Sequence, residues 1–249
     1  MRFVSKMTSE LSAQETKDIL SVLNTAFGYW GEDSTFRWKY VENPYGESVH
    51  AIGYDGDHPV GYVAFWRTDL EGLPAYECVD GAVVPGQRNK GIFATASAAC
   101  TARLAGEYMY AYPSHITRPA LINAGLALER RFPITVHWAP IMLRRYNRMD
   151  PIPDDYVKWR FLAHPSNKYF VYKRGENSYL LIKRREHMYV VGGRLSSDFG
   201  LERAHPSFVF SYDFPGSSFR FPRTTGYFLE NINRFSSGNF IPGFVTDRF

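Results

Sequence analysis

The sequence predicts a mixed α/β (α+β) fold: a mostly antiparallel sheet with flanking helices, followed by a second, shortened copy of the same arrangement. Three observations predict it. Periodic segments up to Tyr146 come in the order helix, helix, three strands, helix, strand, helix, strand. One of those strands, Tyr76 to Val84, runs through a basic, glycine-containing loop straight into an alanine-rich helix. Finally, Trp38-Lys39-Tyr40 with Pro44 recurs 121 residues later as Trp159-Arg160-Phe161 with Pro165. A period that long fits a duplicated domain rather than a solenoid.

The elements follow from local signals. Leu11 to Phe27 carries Ile19, Leu20, Leu23 and Phe27 at helical spacing, and Ser12 with Glu15 forms a capping box. Phe36 to Val41 reads as a short helix stopped by Asn43-Pro44. Val49 to Tyr54 and Pro59 to Arg67 are strands joined by a turn at Asp55-Gly56-Asp57. The strand Tyr76 to Val84 precedes the loop, and Ile92 to Gly106 is the helix after it. Glu107 to Tyr112 is a strand ended by Pro113. Ser114 to Ala124 reads as helical although Pro119 sits inside it; a start near Thr117 would leave that proline in the first turn, and Gly125 ends the helix. Thr135 to Arg145 is expected to be a strand. Pro151 and Pro153 mark a linker, so two lobes are expected, 1–148 and 149–249. In the second, Lys168 to Arg174, Ser178 to Arg184 and His187 to Gly192 are expected strands.

The loop carries the functional signal. Helix N-terminal amides lack intrahelical acceptors, and the helix dipole adds positive charge there. Gly91 lets an anion approach the backbone, and Arg88 and Lys90 add full charges. No Gly-x-x-x-x-Gly-Lys-Ser/Thr and no Gly-x-Gly-x-x-Gly is present, which excludes a P-loop and a dinucleotide fingerprint. The pattern is Arg-x-x-Gly-x-Phe-Ala, Arg88 to Ala94. It resembles the acyl-CoA loop of the GNAT superfamily of N-acyltransferases, Gln/Arg-x-x-Gly-x-Gly/Ala. Phe93 departs from that pattern, and the Ala comes one place later. Trp38-Lys39-Tyr40 with Asn43-Pro44, and Gly125-Leu126, extend the resemblance across the first lobe.

The resemblance implies acyl-CoA as co-substrate, held by Val83, Val84, Arg88, Asn89, Lys90, Gly91, Ile92, Phe93 and Ala94. It implies direct attack of a primary amine on the thioester, without a covalent enzyme intermediate and without a metal. Glu77 stands where the histone-acetylating branch keeps its general base; Asp80 and His115 are the other candidates. Side-chain alternation would place Asp80 on the opposite face of its strand from Glu77. Leu121 stands where many members keep a tyrosine acid, so Tyr112 or water would protonate the leaving thiolate. Contacts to substrate are expected from Trp38, Tyr112 and Arg223. The second lobe resembles a degenerate GNAT copy that completes a substrate cleft. Arg223 to Phe228 repeats the Arg-x-x-Gly-x-Phe spacing without room for a long helix behind it.

Composition narrows the substrate. The net charge is +4, the pI is about 9 and aromatic residues make up 16%. That balance suits an anionic ligand such as a CoA phosphate or a nucleotide diphosphate. No dense Lys/Arg tract or nucleic-acid motif appears. The expected acceptor is an amino-deoxy sugar carried on a nucleotide, as in two-lobed family members that serve surface polysaccharide synthesis. The alternatives are an aminoglycoside or a protein lysine, or an acyl-CoA sensor without catalysis. Neither an apolar leader nor a run of 18 apolar residues occurs, and Cys78 and Cys100 are expected to be buried thiols. A cytoplasmic protein with no membrane or nucleic-acid partner is expected, with a monomer compatible.

Overall fold

The computed structural model describes residues 1–70, 73–165, 167–185, 188–212 and 219–232. The chain forms two compact units. One gathers Met1–Arg130 and the described residues from Tyr227 on; the other is Arg131–Gly226.

The first unit opens with β1 (Arg2–Met7), an edge strand the sequence reading did not foresee. Then come α1 (Ala13–Phe27), α2 (Asp33–Phe36) winding on as a π-helical turn Arg37–Val41, β2 (Val49–Asp55), β3 (His58–Leu70) and β4 (Leu73–Val83). The Ser12 cap forms as expected: Glu15 N donates to Ser12 Oγ at 3.2 Å and Ser12 N donates to Glu15 Oε2 at 2.8 Å. The unit continues with α3 (Ile92–Arg103), β5 (Met109–Ala111) and α4 (Arg118–Asn123), which has Pro119 in its first turn. Strands β1 to β4 form an antiparallel meander, and β4 pairs with β5 in parallel.

The neighbour of β5 on its other side is β11 (Phe219–Glu230), from the far end of the chain, through Leu229↔Ala111 and Glu230↔Tyr110. Glu230 is buried and accepts from Tyr108 Oη at 2.7 Å and Arg130 Nη2 at 2.9 Å. A buried carboxylate satisfied twice holds this late strand in place. One sheet face packs on α3 through Val49, Ala51, Val63, Phe65, Ala96 and Cys100. The opposite face meets α1 and α2: Trp66, wholly buried, donates from Nε1 to Lys39 O at 3.1 Å.

The second unit contains the end of β6 (Leu128–Trp138), α5 (Ala139–Tyr146), α6 (Asp154–Val157) with a π-helical turn Lys158–Leu162, β7 (Phe170–Lys173), β8 (Tyr179–Arg185), β9 (Met188–Leu195) and β10 (Phe208–Tyr212). The expected strand Thr135 to Arg145 is corrected here, because β6 ends at Trp138 and α5 begins. Ala139, Met142, Leu143 and Tyr146 are all buried and sit at helical spacing, with Pro140 in the first turn where its missing N–H costs nothing.

The internal repeat is visible in the backbone. A four-residue helix running into a π turn occurs at Asp33–Val41 and again at Asp154–Leu162, placing Trp38 and Trp159 alike. An antiparallel meander, β7-β8-β9, follows in the second unit as β2-β3-β4 does in the first. There too a parallel pair, β9-β10, comes next, then an antiparallel partner, β6. The motif-like run Arg223 to Phe228 lies inside β11 and not in a loop before a helix.

Candidate functional site

The site begins with a defect in β4. Its pairing with β3 slips between Tyr62↔Ala82 and Ala64↔Val79, so β4 carries an extra residue at Asp80-Gly81. Such a bulge bends the strand and re-aims a side chain. Asp80 has φ +50°, in the left-handed region that costs a non-glycine residue about 1–3 kcal/mol. Three donors offset that cost. Trp30 Nε1 donates to Oδ1 at 3.0 Å; Lys39 Nζ at 2.9 Å and Tyr40 Oη at 2.5 Å donate to Oδ2. The Lys39–Asp80 pair is nearly buried, with side chains 4% and 11% exposed. The Lys39 ammonium also faces the rings of Trp30, Tyr40 and Trp66 at 5.5–5.8 Å.

The bulge corrects one expectation. Glu77 pairs across the ladder with Trp66, and Ala82 with Tyr62, so these side chains share the face toward α1 and α2. Asp80 meets Lys39 on that same face. Strict alternation would have sent it to the other side. Glu77 is 2% exposed and accepts from Tyr110 Oη at 3.2 Å. Tyr110 is therefore a site residue that sequence reasoning missed; only the parallel pair Glu77↔Tyr110 brings the two together.

Beyond this point the sheet opens. The β4–β5 pairs are Tyr76↔Met109, Glu77↔Tyr110 and Cys78↔Ala111, and there β5 ends. Strand β4 runs on to Val83, leaving Val79 to Val83 with no β5 partner among the described residues. Backbone N–H and C=O groups on an unpaired strand edge are ready to receive an extended ligand.

Past Val83 and Val84 the chain makes the turn Pro85–Gln87 and enters α3 through Gly91. Asn89 and Gly91 both take left-handed conformations, with φ +63° and +74°. No side chain caps α3, so its first amides are not covered by a capping oxygen. Arg88 Nε donates to Val83 O at 3.2 Å and Lys90 Nζ to Gln87 Oε1 at 2.7 Å. Ile92 and Phe93 face inward. A Cβ on Gly61 would lie 2.2 Å from Ile92, and one on Gly81 would lie 2.4 Å from the Phe93 ring. Phe93 thus packs against the bulge. The basic loop and the uncapped helix offer amides and positive charge to an anion, and the open edge offers backbone groups to an extended chain.

The other candidates are scattered. His115 lies exposed in the turn before α4. Tyr112 is buried against Tyr110 and Phe228, at centroid distances of 6.0 and 5.3 Å. Trp38 is buried in the π turn. The side chain of Arg223 lies outside the described residues. Cys100 is buried and Cys78 partly so, neither in a disulfide, and burial pushes both thiols far above their ordinary pKa. Among the described residues no cluster of His, Cys, Asp or Glu could hold a metal ion, and no helix is long and apolar enough to cross a membrane.

No protein-family model matches the chain, and no curated protein matches it. Solved structures do. A GCN5-related N-acetyltransferase from Anabaena variabilis matches 92% of this chain and 72% of its own, with TM-score 0.54 and 12% identity. One from Kribbella flavida matches 92% of this chain and 71% of its own, with TM-score 0.50 and 13% identity. The fold is that of the GCN5-related N-acetyltransferases. Within this GNAT fold, the meander β1 to β4, the parallel strand β5 and the loop into α3 form a mostly antiparallel sheet with flanking helices, as expected.

Proposed function

We propose that the chain is an acyl-CoA-dependent N-acyltransferase that moves an acyl group to a primary amine by direct attack. One observation carries the reading. Strand β4 leaves its parallel partner after Cys78↔Ala111, bulges at Asp80, and leads through a basic loop into an uncapped helix. Pantetheine would pair with the open edge from Val79 to Val83. The pyrophosphate would meet the amides of Ile92, Phe93 and Ala94, with Arg88, Asn89 and Lys90 around them.

In this reading Glu77 removes the proton from the attacking amine. It is a buried carboxylate where pairing stops, and Tyr110 fixes its orientation. A backbone N–H at the bulge polarises the thioester carbonyl, the role of an oxyanion donor. The amine nitrogen bonds to the acyl carbon, the C–S bond breaks, and Tyr112 or water protonates the thiolate. Asp80 has three donors on it and acts as an anchor for the bulge, not as a second base.

We further propose that the second lobe, 149–249, is a silent copy. It keeps the π turn, with Arg160 buried in the place of Lys39. Its ladder slips between Leu181 and Ile182, beside Gly192-Gly193 in β9, so Gly192 stands where the first copy has Asp80. An added Cβ on Gly193 would lie 2.7 Å from Ile152, so that bulge is already covered. For the acceptor we propose a nucleotide-linked amino-deoxy sugar, on the basic pI and aromatic content.

The test is a thiol-release assay with acetyl-CoA and longer acyl-CoAs. Its acceptors are nucleotide amino sugars, aminoglycosides and lysine peptides, with products identified by mass. Transfer to the sugars supports the full reading. Transfer only to another amine class overturns the substrate. Acyl-CoA binding with no transfer makes the protein a sensor.

A further inference from the structure

The strand that carries Tyr110 is held from the far end of the chain. Strand β5, Met109–Ala111, has three residues, the short end of the usual range. It makes three pairs with β4 and two with β11. Asn231, just past the end of β11, adds to them. Its N donates to Met109 O at 3.1 Å. Met109 N donates to Asn231 Oδ1 at 2.8 Å, and Asn231 Nδ2 donates to Glu107 O at 2.7 Å. One side-chain amide thus stands in for two backbone groups that a longer β11 would have supplied.

Glu230 holds the rings on that backbone. Tyr108 and Tyr110 lie two residues apart, so both side chains point to one face of β5. On that face Tyr110 stands in register between Glu77 on β4 and Glu230 on β11. Tyr110 Oη donates to Glu77 Oε2 at 3.2 Å, and Tyr108 Oη donates to Glu230 Oε2 at 2.7 Å. Arg130 Nη2, 2.9 Å from Glu230 Oε1, supplies the counter-charge. The Tyr110 ring is enclosed by Tyr108, Tyr112 and Phe228, with centroids at 6.2, 6.0 and 5.7 Å. Glu77, Tyr108, Tyr110 and Glu230 are all buried, and all these residues belong to the first unit.

We propose that Glu230 and Asn231 are positioning residues for acyl transfer: they fix β5 and its rings so that the Tyr110 hydroxyl orients Glu77. The catalytic part of this inference rests on the function proposed above, with Glu77 as the base; the clasp itself does not. Phe228 sits on the same late strand and bears on the same ring. The Tyr110–Glu77 bond is long for an O–H donor, so a small displacement of β5 is enough to lose it.

NMR on the full chain tests the clasp without substrate. In Asn231→Ala the Met109 amide should exchange about two- to tenfold faster, the worth of one hydrogen bond. Glu230→Gln offers one accepting oxygen to two donors, so Tyr108 or Arg130 loses this acceptor. In both variants the carbon-13 ring signal of Tyr110, assigned through Tyr110→Phe, should move. A Tyr110 signal that stays in place in every variant that folds overturns the proposal. Glu230→Gln keeps size and shape and is expected to fold, so the test stands even where Asn231→Ala does not. Kinetics add the second arm: either variant should lower kcat about two- to tenfold with KM for acyl-CoA unchanged. In a Tyr110→Phe background the same change should add less than about twofold, because the residue it acts through is gone. Additive losses mean general loosening and overturn the positioning role. A normal kcat in Tyr110→Phe, or a moved ring signal with kcat unchanged, overturns the catalytic part. A wild-type protein that transfers no acyl group overturns the proposed function, while the NMR arm still decides the clasp.

Discussion

Replacing Asp80 by alanine tests the centre of the site. The change removes the acceptor of Trp30, Tyr40 and Lys39 together. Its largest consequence is the stranded Lys39 ammonium, 4% exposed and enclosed by three rings. Breaking a buried ion pair from one side costs about 3–5 kcal/mol, because the remaining charge stays desolvated. Alanine keeps a Cβ at φ +50°, so the left-handed strain at position 80 is not relieved. The net stays at about 3–5 kcal/mol, which lowers the first unit's Tm by about 6–20 °C at the usual 2–4 °C per kcal/mol. Calorimetry reads this directly. Adding Lys39→Met to Asp80→Ala removes the stranded charge and fills its volume with an apolar chain. The double variant should therefore recover at least half of the lost stability. Strict additivity, or a Tm within about 2 °C of wild type for Asp80→Ala, would refute the claim that the pair is buried and coupled. The same variant should lose kcat by about tenfold or more as the bulge relaxes.

Further outcomes follow from the same geometry. Glu77→Gln should lower turnover by about 10²-fold, the scale of a lost general base, and leave acyl-CoA affinity by calorimetry unchanged; near-normal turnover removes Glu77 from the mechanism. Gly91→Glu should abolish CoA binding, since it adds a negative charge at the uncapped start of α3; the measurement is titration calorimetry, with circular dichroism checking the fold. Gly81→Ala should destabilise by about 1–3 kcal/mol through the Phe93 ring, and Phe93→Leu should restore most of the loss. His50 titrates near 3 in the fold and near 6.5 when unfolded. Its depressed pKa leaves stability whole above pH 6.5. As pH falls toward 3 only the unfolded chain takes up that proton, and stability drops by up to about 1.4 kcal/mol per pH unit. Denaturant titrations of His50→Gln should show a shallower acid slope than wild type; equal slopes would contradict the burial of a neutral imidazole.

Much of this was written locally. The Ser12–Glu15 cap, the Asp55–Gly56 turn and the left-handed Gly91 depend on neighbours a few residues away, and such chemistry is legible in order. The duplicated π turn was legible too, since Trp38 and Trp159 head matching runs. The helical spacing of Ala139, Met142, Leu143 and Tyr146 was also present in the sequence, although a strand was expected there.

Other features belong to the tertiary structure. Edge strand β1 gains its identity from β2, more than forty residues on, through Arg2↔Tyr54 to Met7↔Val49. Tyr110 meets Glu77 only through parallel pairing, which no local pattern encodes. The last strand beside β5 comes from the end of the chain, held by Glu230. Alternation in an ideal strand turns Asp80 away from Glu77; an extra residue in β4 turns it back toward Lys39 and Tyr40. A bulge exists only relative to a partner strand, so the face that Asp80 presents was decided by the pairing of β3 with β4 and not by the order of residues in β4.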